Sequence, residues 1–201
     1  KLRPNLDELD ALGVGMATSG GMAMFILPNV TPPYTSENIS IENLPTFKIN
    51  ESDMRLVYDD FCSGKEKNFD IVHLGCPHAS YEEMKHYAKL LNGKKISNNI
   101  ELWITTNRTV REMIRKTDLI KSIESSGAKI ISDTCPISCH FARTVSPDPK
   151  LGIKPPKIKA IVVDSAKQAR YIRDMIHCPT LFTSTEKAVD SAVCGNFIPR
   201  W

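Results

Sequence analysis

The feature that most constrains this chain is a series of short, solidly apolar runs, each followed by a helical pattern. Strands that are apolar on both faces are typical of parallel sheets covered by helices on both sides. The alternation of strand and helix therefore predicts an α/β fold with an open, mostly parallel, doubly wound sheet flanked by helices. The predicted strands lie at residues 71–74, 102–105, 128–132, 160–163 and 180–182, and the predicted helices lie at 80–91, 108–115, 118–125, from 165 onward, and at 185–193.

The segment before these units is predicted to hold two helices and one further strand. Asn5 begins a capping-box pattern, so a helix is expected from there to Gly20-Gly21. Residues 22–27 form an apolar run, which favours a buried strand. Ser52 is predicted to cap the second helix, which ends near residue 61.

Two stretches rich in proline and polar residues interrupt the pattern, at residues 28–50 and 136–157. Both are predicted to be surface excursions, and loops of this length inside a compact domain are often functional or directed toward a partner. The second begins beside Cys135, so it forms either a wall of a site there or a solvated connection. The chain length of 201 residues fits one α/β domain over residues 1–201.

Composition excludes several classes of protein. The chain is 41% hydrophobic and 24% charged, which is ordinary for a globular protein. Its net charge of +3 is small and its lysines are scattered, which argues against a nucleic-acid surface. No stretch reaches the ~18 apolar residues of a membrane span, and the first residues do not form a secretion signal. We therefore expect a cytoplasmic protein that binds neither nucleic acid nor a membrane.

Two of the six cysteines stand directly after predicted strands. They are Cys76, in Gly75-Cys76-Pro77-His78, and Cys135, in Asp133-Thr134-Cys135. Ligands of open parallel sheets bind at the carboxyl ends of the strands, so two thiols there suggest a metal or cluster site. The helix amides after Cys76 are expected to favour its thiolate. Cys62 lies in a helical pattern and is expected to be a packing residue.

Other polar residues at the predicted strand ends leave alternatives open. Ser165 is predicted to cap a helix whose amides can hold an anion, and Lys167 can add positive charge; equally, Ser165 only caps and Lys167 is only solvated. His78 is either an acid/base candidate or a surface histidine. Cys135, Cys139 and His140 form a possible zinc set, although no second ligand pair of the usual spacing accompanies them.

Four stretches resemble the aconitase X family, the compact branch of the aconitase superfamily. They are residues 75–84 (Gly-Cys-Pro-His-Ala-Ser-Tyr-Glu-Glu-Met), residues 3–9 with Gly20-Gly21, residues 132–135 (Ser-Asp-Thr-Cys), and residues 164–171 (Asp-Ser-Ala-Lys-Gln-Ala-Arg-Tyr). The resemblance implies an aconitase-like three-layer domain and a dehydratase activity. It also implies that Cys76 and Cys135 are ligands of an iron–sulfur cluster (4Fe–4S or 2Fe–2S) or of iron, and that Ser165 and Lys167 lie near a small anionic substrate.

Family members implied by this resemblance are longer than this chain, and the match begins near their midpoint. The missing N-terminal half, which is expected to supply another ligand, and a small swivelling domain, fused or a separate subunit, are therefore expected partners. Cys139 and Cys178 are the candidates for a third ligand within the chain, and two thiolates alone are not expected to hold an intact cluster.

The family implies two dehydrations. One converts 5-phosphomevalonate to trans-anhydromevalonate 5-phosphate in archaea, and the other acts on cis-3-hydroxy-L-proline in bacteria. Because no fused small domain follows residue 201, the expectation leans toward the separate-subunit arrangement and phosphomevalonate. The alternatives are the proline derivative and a non-catalytic α/β ligand-binding module.

Overall fold

A computed structural model describes residues 3–32, 40, 42–62, 67–138 and 158–201. The elements are α1 (Leu6–Gly20), α2 (Glu51–Phe61), β1 (Ile71–Ala79), α3 (Tyr81–Leu91), β2 (Glu101–Thr106), α4 (Arg108–Arg115), α5 (Asp118–Ser125), β3 (Lys129–Ser132), β4 (Ile161–Val163), α6 (Ala166–Tyr171), β5 (Thr180–Phe182) and α7 (Thr185–Cys194). A π-helical segment, Ile172–Ile176, continues α6. In these ranges five parallel strands form one sheet in the order β3-β2-β1-β4-β5, so the predicted parallel α/β sheet is confirmed.

Apolar cores cover both faces of the sheet, which explains why the strand sequences are solidly apolar. Successive side chains of a strand point to opposite faces, so Val72 and Leu74 pack with α3, α4, α5 and α7 on one side. Ile71 and Val163 pack with α2 and α6 on the other side. Helix, sheet and helix thus form three layers around β1, the central strand.

The helix starts follow from capping side chains, with one correction. Ser80 caps α3 through a capping box with Glu83, and Asn5 caps α1 as predicted. The cap of α2 is Asn50 rather than the predicted Ser52, because the Asn50 side chain accepts hydrogen bonds from the amides of Ser52 and Asp53. The helix therefore begins one residue before Ser52.

The strand predicted at residues 22–27 is absent, and these residues belong to no helix or strand. Met22, Met24 and Ile26 are 53%, 87% and 45% exposed. Phe25 lies against Gly13 of α1. A strand requires a neighbour to satisfy its backbone groups, and the described part of the chain presents no strand that pairs with this segment.

The two predicted excursions are only partly described. The described residues between 28 and 49 form turns and irregular segments without a helix or strand. A turn at residues 136–138 follows Cys135. The rest of the second excursion, including Cys139 and His140, lies outside the described residues.

The order of the strands places a crevice beside β1. The chain runs from β1 through β2 to β3 on one side, then crosses to β4 and β5 on the other. In such sheets the helices on either side of the reversal separate at the carboxyl ends of the strands, and ligands bind there. Cys76 follows the regular part of β1, and Ser165 follows β4, so both lie at this point.

Candidate functional site

A bulge at the end of β1 carries Cys76 out of the sheet. Leu74 pairs with Ile104 and Ala79 pairs with Thr106, so three more residues lie between these pairs on β1 than on β2. Such an insertion bends the strand away from its partner. Gly75 has φ +81°, and a Cβ there would lie 2.2 Å from the carbonyl oxygen of Thr105. Only glycine fits this close approach of the two backbones.

A cavity of about 530 Å³ opens between this bulge, the loop after β3 and α6. Cys76 and Cys135 both line it, together with His78 and Lys167. Two cysteines that are 59 positions apart in the sequence therefore reach one crevice, as their places after two strands suggested. Tyr171 and Met175, which sequence reasoning did not select, form part of the wall.

The bulge and the loop after β3 are joined by hydrogen bonds. His78 Nε2 lies 2.8 Å from the carbonyl oxygen of Thr134, next to Cys135. Asp133 accepts a hydrogen bond of 2.9 Å from the backbone amide of Arg108 and a second from its guanidinium. These contacts lower the pKa of the Asp133 carboxyl. The loop that bears Cys135 is thus attached both to the bulge and to the start of α4.

The Cys76 thiol is protonated in the free chain, contrary to the expectation from the nearby helix. Burial raises its pKa to about 11, and a hydrogen bond from Ser165 and the charge of Lys167 only partly oppose this. The proximity of Cys135 raises the pKa further. A bound metal ion would displace the proton, since thiols coordinate as thiolates.

Sequence reasoning missed His73, which lies inside the apolar run of β1. The side chain is 1% exposed, and burial lowers its pKa to about 4, so the imidazole is neutral at pH 7. Its Nε2 lies 3.1 Å from Thr105 Oγ1, and its Nδ1 contacts the Gln168 side chain. The Thr105 hydroxyl also donates to the Gly75 carbonyl, so this buried network supports the bulge. The sequence could have indicated this role, because His73 is a lone polar residue within an otherwise apolar strand.

A second cavity, of about 300 Å³, is also lined by the bulge and otherwise by residues that do not line the first cavity. Four carboxyl groups line it, those of Asp7, Asp10, Glu83 and Asp164. Burial raises the pKa of Asp164 to about 7, although the Thr185 hydroxyl donates to it at 2.8 Å. Burial and the charges of Asp7 and Asp10 also raise the pKa of Glu83.

Ser165 and Lys167 occupy different positions relative to the bulge. Ser165 caps α6, lines the second cavity and contacts the Cys76 thiol. Lys167 lines the first cavity. The bulge lines both cavities, so Cys76 faces Ser165 in one of them and Lys167 in the other.

The structure does not bring Cys178 to this site. Cys178 precedes β5 and therefore lies at the amino edge of the parallel sheet, whereas Cys76 and Cys135 lie at the carboxyl edge. It is 4% exposed within the core beside α6, and burial raises its pKa to about 11. Cys62 packs as predicted, since its sulfur accepts from the Phe182 amide at 3.4 Å.

The residues present fit part of an iron–sulfur site. Two thiols share one cavity, but no group of three His, Cys, Asp or Glu side chains in the described residues is arranged to hold a metal ion. Protein-bound clusters commonly use four thiolates, so a complete site would need ligands from elsewhere. In the same described ranges, no helix is both long enough and apolar enough to cross a membrane.

Comparisons with known proteins show which family the sequence resembles. Residues 69–194 match the family model "Aconitase X third domain". The phosphomevalonate dehydratase large subunit of Methanosarcina mazei is 33% identical over 193 residues, which is 96% of this chain and 43% of the relative. The cis-3-hydroxy-L-proline dehydratase of Pseudomonas aeruginosa is 25% identical over 99% of this chain and 34% of the relative.

A solved structure shows the same fold. The holo-form of Thermococcus kodakaraensis aconitase X superposes with a TM-score of 0.76 and 28% identity, over 96% of this chain and 46% of that one. The chain thus spans less than half the length of these relatives. With the matching family model, the shared sheet and the two cysteines on one crevice, the chain belongs to the aconitase X family.

Proposed function

We propose that this chain supplies the third domain of an aconitase X-type hydro-lyase that dehydrates 5-phosphomevalonate to trans-anhydromevalonate 5-phosphate. The observation that carries the proposal is the meeting of Cys76 and Cys135 in one cavity at the switch point of the sheet. The large subunits of phosphomevalonate dehydratase from two archaea, which are 29% and 33% identical to the chain, support the choice of substrate.

Cys76 and Cys135 are the proposed ligands of an iron–sulfur cluster (4Fe–4S or 2Fe–2S) or of iron. When bound, such a centre supplies a Lewis acid that polarises a departing hydroxyl. The Ser165 hydroxyl and the Lys167 charge both favour the Cys76 thiolate, so they lower the cost of removing its proton. Their positions in the two cavities that share Cys76 also suit them to bind the anionic groups of the substrate.

His78 is the candidate for the acid/base group. A carbonyl oxygen only accepts hydrogen bonds, so the contact with Thr134 requires a proton on His78 Nε2. In the neutral ring, Nδ1 is then unprotonated and can accept a proton from carbon or return one to a leaving group. The same contact holds the ring at the rim of the cavity that contains both cysteines.

The proposed enzyme is larger than this chain. The remaining part of the large subunit and a small swivelling-domain subunit complete the site, because the described residues offer an incomplete ligand set. We place the enzyme in the cytoplasm, where reducing conditions preserve free thiols such as the five found in the described residues.

The acidic second cavity favours one alternative substrate. Carboxyl groups line this cavity beside Cys76, and those that are ionised attract a cation and repel a phosphate. The secondary ammonium of cis-3-hydroxy-L-proline is a cation, and relatives that are 25% and 26% identical to the chain carry the name of that dehydratase. The chain would then act on a zwitterion, with Lys167 near the carboxylate and the acidic cavity near the nitrogen.

Anaerobic reconstitution with iron and sulfide tests the ligands. We expect a stable cluster, read from its visible absorption and EPR spectrum, only when the chain is combined with the rest of a large subunit. Cys76→Ser and Cys135→Ser should each reduce the bound iron, whereas Cys194→Ser, which changes an exposed cysteine at the end of α7, should not. A cluster that survives both site substitutions together would refute the assignment.

Turnover distinguishes the substrates. The reconstituted mixture, with a small subunit added, is assayed separately with 5-phosphomevalonate and with cis-3-hydroxy-L-proline. Dehydration of the first supports the main proposal, and dehydration of only the second supports the alternative. Asp164→Asn should impair the second reaction more than the first, because it removes a carboxyl group from the acidic cavity.

A further inference from the structure

The exposed apolar side chains of this molecule are concentrated in its N-terminal part. Of the large apolar residues exposed in the described ranges, all but Met113, Met175 and Trp201 lie between residues 6 and 57. We call residues 22–27 and 44–57 the apolar band. Its most exposed members include Met24, Leu44, Phe47, Ile49 and Leu56, which are between 60% and 87% exposed. Large apolar side chains exposed in such number indicate segments that bind another protein.

One segment of the band has the sequence of a strand but no sheet. Residues 22–27 are continuously apolar, and within the described structure the backbone groups of residues 23–26 make no hydrogen bond. Unpaired backbone of this kind readily adds to the edge of another sheet. The sequence pattern and the exposed backbone therefore point to a pairing surface that lies outside the described chain.

The band is attached to ordered elements. Phe25 contacts α1 at Gly13, and Asp7 of α1 accepts a hydrogen bond of 3.0 Å from Ser80 at the start of α3. On α2, the Tyr58 ring stacks on Phe182 of β5 with 4.2 Å between the ring centroids. A partner bound to the band would thus be held in a fixed position relative to the sheet and the cysteine cavity.

We infer that the apolar band binds the domains that precede the third domain in an aconitase X large subunit, and that residues 22–27 join a sheet of those domains as a strand. The matched family model describes a third domain and begins at residue 69, just after the band. The matched region is only 43% of the Methanosarcina mazei large subunit, so most of that protein lies outside it. The inference rests on the proposed function, which requires this partner.

Hydrogen exchange provides a direct test. The 201-residue chain is measured alone and in complex with the part of the Methanosarcina mazei large subunit that lies outside the matched region. We expect the amides of residues 23–26 to exchange freely in the chain alone and to slow by about 100-fold or more in the complex, as paired backbone does.

A pair of substitutions tests the surface. Met24→Asp should weaken the complex by about 10–100-fold, because a methionine of the band is no longer buried. Met113→Asp, which changes a similarly apolar side chain that is 52% exposed on α4, should leave the affinity unchanged. Circular dichroism of both variants checks that the sheet remains folded.

The outcomes separate this inference from the proposed function. Failure of the wild-type chain to bind, binding with residues 23–26 still exchanging freely, or protection produced by a homodimer of the chain alone would each overturn the inference. Protection in the complex without turnover of either substrate would support the inference and refute the proposed activity. Turnover of a substrate without protection of residues 23–26 would support the proposed activity and overturn the inference.

Discussion

Replacing Gly75 by alanine tests whether the bulge is held by backbone contact with β2. Gly75 has φ +81°, and the added methyl group would lie 2.2 Å from the Thr105 carbonyl oxygen. Atoms of these types need a separation of more than 3 Å, so the bulge or β2 must move. Gly93 is a matched control, because it has φ +72° but no heavy atom within 4 Å of the added methyl group.

The expected destabilisation follows from these two geometries. The left-handed conformation costs an alanine ~1–2 kcal/mol at either position. At Gly75 the steric overlap adds ~1–3 kcal/mol, the usual cost of forcing extra volume into a packed site. We therefore expect Gly93→Ala to lower the free energy of unfolding by ~1–2 kcal/mol and Gly75→Ala to lower it by ~2–5 kcal/mol.

Urea unfolding of the 201-residue chain, followed by circular dichroism, measures both values. In thermal unfolding, each 1 kcal/mol corresponds to about 2–4 °C for a chain of this size. Alkylation of Cys76 adds a local readout, since displacement of the bulge should expose its thiol. Equal destabilisation by the two substitutions, with unchanged alkylation of Cys76, would refute the argument from close approach.

Three further predictions concern groups around the site. Ser165→Ala should slow alkylation of Cys76, because it removes a hydrogen bond that lowers the thiol pKa; Ser184→Ala removes a matching helix cap from α7 and should leave the rate unchanged. Asp164 has its pKa raised from 3.8 to about 7, so its contribution to the free energy of unfolding should fall as pH rises through this window, by on the order of 3–4 kcal/mol. In urea titrations from pH 4 to 8, the difference between the wild type and Asp164→Asn should show this fall, and a difference that does not change with pH would contradict the burial argument. His73 has its pKa lowered from 6.5 to about 4, so its contribution should fall by ~3 kcal/mol as pH drops through that window and should offset the contribution of Asp164 there; the difference between the wild type and His73→Asn should show this opposite dependence.

The sheet could be predicted because four of its strands are largely buried on both faces, whereas the edge strand β3 is only partly buried. Residues 160–163 are all apolar, and residues 71–74 are apolar except for His73; runs of this kind arise in strands that helices cover on both sides. The helix bounds also followed from local signals such as the capping box at Ser80. Asn50 was missed in favour of Ser52 because both residue types cap helices well and only the backbone geometry distinguishes them.

The arrangement of the site was less accessible to sequence reasoning. The two cysteines could be placed at one edge of a sheet because each follows a strand. The network of His73, Thr105 and Gln168 could not be predicted, since it joins residues from three separate elements. The protonated state of Cys76 was also missed, because the expectation weighed the helix amides and not the burial that raises the pKa of the thiol.

The segment at residues 22–27 shows a different limit. Its apolar composition is a local property and predicted a strand, but a strand exists only when another one pairs with it. The described residues provide no such pairing, so the segment is exposed. The apolar composition indicates that this segment is suited to a buried, paired position, and we have proposed the partner that would provide it.

The two cysteines belong to parts of the sheet with unequal resistance to local opening. Cys76 lies on the central strand, which has a neighbour on each side, whereas Cys135 follows β3, a strand of four residues at the sheet edge. Edge elements open more often than central ones. Any metal centre that Cys76 and Cys135 held together would therefore have one ligand on a firmly held strand and the other on a segment that opens more often.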